Sequence, residues 1–300
     1  MSARRAPPEV TAPASAPRLS TALGTTLAAL LGLLAIRLLF SEMADPLLIQ
    51  AASAALLVTL PLLALRQSRV PLALPRPSRV IAIAATLMGV LASLASAWLV
   101  TVVGNLLSQW LGSLPFAAST AASDPVILLV LGILVPAGQS ALFWVYLPRA
   151  ASGLGRGRAA WLTALLFSGA TMIISNTGIS AGVSVLPLGF GAALLLAQTG
   201  NSWAGIIATA SHGLARLLLP PFLLDLLGLN ALSLNWIGAA LLSLFGIFFL
   251  HQVSRALVPG PAEPAGRWAA VSLWRQPLLW ANAALIAAVV GLELFLRSRQ

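Results

Sequence analysis

Nine stretches of this chain, at 20–40, 46–65, 80–104, 125–147, 159–176, 180–198, 202–219, 231–251 and 277–296, are apolar over the length of a membrane crossing. A bilayer core of about 30 Å takes about 20 helical residues. Within it every backbone amide must be satisfied internally, so only helices or closed barrels can span it. Charged residues make up 8% of the chain and hydrophobic ones 59%, whereas soluble domains carry about 25% charged residues. So few charges cannot cover a water-exposed surface. The expected fold is therefore all-α, a polytopic transmembrane bundle of eight to nine spans. Residues 19–300 form one transmembrane domain behind a disordered cytoplasmic tail over 1–18. The first span is expected to stay uncleaved, because Glu42 occupies the stretch where a signal-peptide site needs small residues. The sixth, rich in Gly and Ser around Ser180–Ser184 and containing Pro187, is expected to be short or kinked.

All 17 cations are arginine, and they outnumber the 7 acids to give a net charge of +10. Their positions explain the excess. With the N-terminus inside, the cytoplasmic segments hold Arg4, Arg5, Arg18, Arg66, Arg69, Arg76, Arg79, Arg149, Arg156, Arg158, Arg255, Arg267 and Arg275. Only Arg297 and Arg299 fall outside, while Arg37 and Arg216 lie within spans near their outer ends. This asymmetry is the positive-inside pattern. It implies a multi-pass protein of the cell membrane, in a bacterium the inner membrane, with a cytoplasmic N-terminus, and it removes the case for nucleic-acid binding. Trp110, Trp144, Trp161, Trp203, Trp274 and Trp280 fall at or near expected span ends, where tryptophan anchors a helix in the headgroup layer. There is no cysteine, hence no disulfide, thiolate ligand or thiol nucleophile.

Ionisable groups within spans are functional by default, and here they are few. Glu42, Asp45, Asp124, Asp225 and Glu293 fall in loops or near span ends, and Glu9 and Glu263 in the tail and a cytoplasmic loop. The interior polar set is Gln139, Ser140, Thr171, Ser175, Thr209, His212 and Arg216. At about 1.5 Å per residue from the cytoplasmic ends, Thr209, Gln139, His212 and Thr171 lie about 10, 12, 15 and 18 Å deep. Two readings fit: interhelical hydrogen bonds of about 0.6 kcal/mol each, or a shared polar pocket. His212 and His251 are the only histidines. Their depths differ by about 15 Å, so they cannot share a metal ion that needs nitrogens at about 2.0–2.1 Å. Arg216 is expected to snorkel toward the headgroups or to pair with Asp225.

Pro136-Ala137-Gly138-Gln139-Ser140-Ala141-Leu142-Phe143-Trp144 resembles the first motif, P-x-x-E-E-x-x-F-R, of the CAAX-protease and bacteriocin-processing (CPBP) intramembrane proteases. A basic loop from Arg149 to Arg158 and then Leu162–Phe167 follow, as in that family's next helix, which carries F-x-x-x-H. Thr199-Gly200-Asn201-Ser202-Trp203-Ala204 resembles its T-G-S-x-W-A turn before the last core helix. The resemblance runs from Pro125 to Arg216 and marks 125–216 as a protease-like core.

The resemblance stops at the catalytic positions. Gln139 and Ser140 stand where the paired glutamates belong, Trp144 replaces the arginine, Thr171 and Thr209 replace motif histidines, and His212 matches only by a shift of one turn. In the family a glutamate is thought to activate water while histidines bind a metal or stabilise the oxyanion. A carboxamide accepts no proton at neutral pH, and loss of a general base alone costs about 10²–10⁴-fold in rate. The resemblance therefore implies a non-catalytic scaffold or binding protein, with no metal and no cofactor expected. Its partners would be the lipid bilayer and a peptide, a lipid or a partner membrane helix. The alternatives are an intramembrane endopeptidase with an atypical site around His212, Ser211 and Ser140, and a small-molecule permease or accessory subunit of a membrane complex.

Overall fold

The computed structural model describes residues 18–40, 45–68, 74–111, 125–151, 154, 156–175, 178–227, five positions between 236 and 244, and 275–297. Its regular elements are helices: α1 (Leu19–Phe40), α2 (Pro46–Gln67), α3 (Arg79–Leu111), α4 (Pro125–Ala151), α5 (Arg156–Ile174), α6 (Ile179–Thr199), α7 (Trp203–Leu227) and α8 (Pro277–Arg297). Six are long and apolar enough to cross a membrane: α1, α2, α3 over Arg79–Ser96, α4, α6 and α8 over Pro277–Leu296. A shorter apolar helix covers Arg158–Ile174. The chain is thus a helical, multi-pass membrane protein. The expected tail over 1–18 lies outside the described residues except for Arg18, and the expected span 231–251 lies largely outside them.

Local sequence accounts for the start of α2 and for the form of α4. Asp45 caps α2, its carboxylate accepting from the Leu47 N–H at 2.7 Å, and Pro46 follows at the first turn, where its missing N–H costs nothing. In α4 two prolines set the local form. Pro136 and Pro148 donate no backbone hydrogen bond and crowd the carbonyl four residues back. Before each, the helix widens to π geometry, over Leu128–Leu134 and Ala141–Tyr146. The Val135 N–H then bonds the Val130 carbonyl and the Leu147 N–H the Leu142 carbonyl, five residues back.

The sixth span is not short: α6 is a continuous helix of 21 residues with Pro187 inside it. In its spanning window 72% of residues are buried, against 6% for α8. It packs against α3, α5 and α7. Gly182, Ser184, Pro187 and Gly189 are buried there, and small residues let neighbouring helices approach where no hydrophobic force drives association in lipid.

The polar ends of α5 and α6 are closed by other helices. The last carbonyls of α5 have no partners within their own helix. Arg37 donates from Nη1 to the carbonyls of Met172 (3.2 Å) and Ile173 (3.3 Å), and Gln50 Nε2 donates to that of Ile174 (3.4 Å). At the start of α6 the Ile179 N–H donates to Glu293 Oε2 at 3.0 Å. Gly178, which precedes it, has φ +51° and lies so close to that carboxylate that a Cβ would collide with it. Near the opposite ends, Asn282 of α8 donates from Nδ2 to the Leu23 carbonyl of α1 at 3.0 Å, and Thr25 bonds the Tyr146 hydroxyl at 3.3 Å.

Candidate functional site

Three helices bring the motif-equivalent residues together. Gln139, on the α turn of α4 between its two π stretches, is 6% exposed and donates from Nε2 to Thr171 Oγ1 of α5 at 3.1 Å. The Thr171 hydroxyl passes its own proton to the Phe167 carbonyl at 2.9 Å. Trp144, wholly buried, donates from Nε1 to Thr209 Oγ1 of α7 at 2.7 Å, and Thr209 donates in turn to the Gly205 carbonyl at 2.8 Å. Phe167 joins the two pairs, its ring 5.3 Å from that of Trp144 and 5.6 Å from that of Phe143.

The helix contacts set the register. Trp144 lies against Gly205, and Pro136 against Gly213 at 3.1 Å from where a Cβ would stand, so α4 and α7 run antiparallel. Ser140, midway between Pro136 and Trp144, is level with Thr209. It is buried, and its hydroxyl has no partner. His212 is 4% exposed, and neither ring nitrogen makes a hydrogen bond. It lies beside the Gly89 backbone of α3 without reaching bonding geometry. Gly89 is where α3 and α7 come closest, since a Cβ there would press on the Ala208 carbonyl and the His212 backbone nitrogen.

The structure thus gathers Gln139, Ser140, Trp144, Thr171 and Thr209 into one buried region, with His212 a turn further along α7. It forms no Ser140–His212 hydrogen bond. Among the described residues no three His, Asp or Glu side chains stand together as metal ligands. His251, Glu42 and Asp124 lie outside the described residues.

One sequence expectation is corrected. Trp144 is not a headgroup anchor: α4 continues to Ala151, placing the indole well inside the bundle. Trp161 and Trp280, at 41% and 54% exposure, do keep the outward position of an anchor. Arg216 bonds Ser184 Oγ of α6 through Nη1 at 3.3 Å. The side chain of Asp225, the other partner expected for Arg216, lies outside the described side chains.

Sequence reasoning passed over Ser96, Ser184 and Asn282, each buried and hydrogen-bonded. The Ser96 hydroxyl donates to the Ser184 carbonyl and so ties α3 to α6. The available signal was a lone hydroxyl or amide in an apolar run, which gives no hint of the partner helix. Comparison with family models, with curated proteins and with solved structures gives no match.

Proposed function

We propose that this chain is a non-catalytic, protease-like membrane scaffold that binds a peptide, a lipid or a partner helix at the region around Gln139, Ser140, Trp144, Thr171, Thr209 and His212. The observation that carries the reading is the pair of hydrogen bonds Gln139–Thr171 and Trp144–Thr209, joining the three helices that hold the motif-equivalent positions. A hydrolytic site keeps its acid, base and ligands free to meet water and substrate. Here the corresponding residues are neutral and four of them are bonded to one another. Gln139 uses its amide N–H on Thr171, and Trp144 fills the space where a guanidinium would stand. No carboxylate among the described residues bonds any of them. Without a base, rate falls by about 10²–10⁴-fold before the missing histidines are counted.

The finer topology belongs to the same reading: about nine spans with the N-terminus in the cytoplasm. Helix directions support it. Thr25 meets Tyr146 near the start of α1, so α4 runs opposite to α1, and α7, antiparallel to α4, runs with α1. The α8 helix also runs with α1, since Asn282 reaches Leu23 near one end while Glu293 and Arg37 meet the α5–α6 turn at the other. Two successive spans cannot run the same way, so this reading has the segment 228–276 recross the bilayer, as the apolar run 231–251 allows.

The test is proteolysis. Purified protein in liposomes, offered a fluorogenic prenylated CAAX-type peptide, is expected to leave it intact. Cleavage that disappears in Gln139→Ala would overturn the proposal.

A further inference from the structure

Arg216 is a cation within an apolar helix, thirteen residues after Trp203 and about 20 Å along α7. A charge at such depth is expensive and marks a functional site unless it is neutralised. Nothing among the described residues neutralises it. Its guanidinium carries five N–H donors, and the one described bond is that from Nη1 to Ser184 Oγ. The Ser184 hydroxyl donates onward to the Ala181 carbonyl, so it spends its proton within α6. Glu293 is bound to the Ile179 N–H. His212 stands one turn away on the same side of α7. It is buried, with both ring nitrogens unpartnered, while Arg216 itself is exposed. Together they place an exposed cation one turn from a buried imidazole whose nitrogens have no partner. The chemical complement is an anion with several acceptor oxygens, because a guanidinium fork binds phosphate in a bidentate manner.

We propose that Arg216, positioned by Ser184, and His212 form a binding site for a phosphate group, between α6 and α7 in the half of the bilayer away from the Arg149–Arg158 loop. This goes beyond the scaffold reading, with which it shares His212, and does not depend on whether that region is catalytic. The group is either the headgroup of an anionic phospholipid or free phosphate, and the apolar helix that carries Arg216 favours the lipid.

The experiment uses the full chain in maltoside micelles, which carry no phosphate, with binding read by native mass spectrometry. Phosphatidylglycerol is titrated in one arm and inorganic phosphate in the other. Saturable binding of phosphatidylglycerol is expected. Arg216→Gln should weaken it about tenfold or more, as for a lost charged hydrogen bond, and Arg216→Lys by less. Phosphate binding as tightly as the lipid, with the same loss in Arg216→Gln, keeps the site and changes its ligand to the free ion. Binding that Arg216→Gln leaves unchanged, or no saturable binding in either arm, overturns the proposal. Should Arg216→Gln not fold, His212→Phe decides: it keeps the ring volume and removes both nitrogens, and unchanged affinity in that variant rejects the site.

Discussion

At the scale of single residues, Trp144 and Thr209 test how much the buried polar bonds contribute. The indole N–H has one acceptor, the Thr209 hydroxyl at 2.7 Å, in a wholly buried position. Thr209→Val keeps the shape and strands that donor, and an unsatisfied buried group costs about 1–3 kcal/mol. The variant is expected to unfold at lower temperature in micelles by that margin, whereas Thr209→Ser, which retains the acceptor, should lose clearly less. Equal losses would mean that the methyl, not the hydroxyl, matters. The polar residues themselves were visible in the sequence as interruptions of apolar runs. Their pairing was not, because Gln139 and Thr171 are 32 positions apart and depth along a helix says nothing about which way a side chain faces.

At the scale of elements, prolines and small residues carry information that hydropathy blurs. Pro187 and the glycines of α6 looked like signs of a weak span, yet α6 is the most buried of the six spanning helices. In lipid, a helix surrounded by other helices needs small side chains more than large apolar ones. Gly89 is the sharpest case. A methyl group there meets the backbone of α7 at Ala208 and His212 rather than a movable side chain. Gly89→Ala is therefore expected to destabilise the protein by about 1–3 kcal/mol, the usual cost of overpacking, despite alanine's better helix propensity. Chemical unfolding followed by circular dichroism checks it, and a neutral or stabilising result would show that α3 and α7 part easily. The π stretches before Pro136 and Pro148 were likewise not foreseen. A proline announces a lost hydrogen bond, but how the helix absorbs it depends on what packs alongside.

At the scale of the whole molecule, the helix directions are compatible with the topology that the arginine distribution predicts. One rests on contacts, the other on the charge of loops. With no cysteine in the chain, single introduced thiols are unambiguous reporters. Ser152→Cys and Ser272→Cys are expected to react with an impermeant maleimide only from the cytoplasmic side, and Asn230→Cys only from the other. Labelling of Asn230→Cys and Ser272→Cys from the same side would remove the crossing between α7 and α8.

What the sequence determined alone is the solvent and the general form: long apolar runs in a chain with few charges require helices in a bilayer, because unpaired amides are intolerable there. It also carried the arginine asymmetry. Only the tertiary structure decided that α6 is central, that Trp144 faces inward to Thr209, that Glu293 and Arg37 close the ends of other helices, and that Arg216 meets Ser184. The reason is geometric. Periodicity and depth are properties of one helix, whereas the partner of a buried donor is set by the rotation and direction of its neighbours.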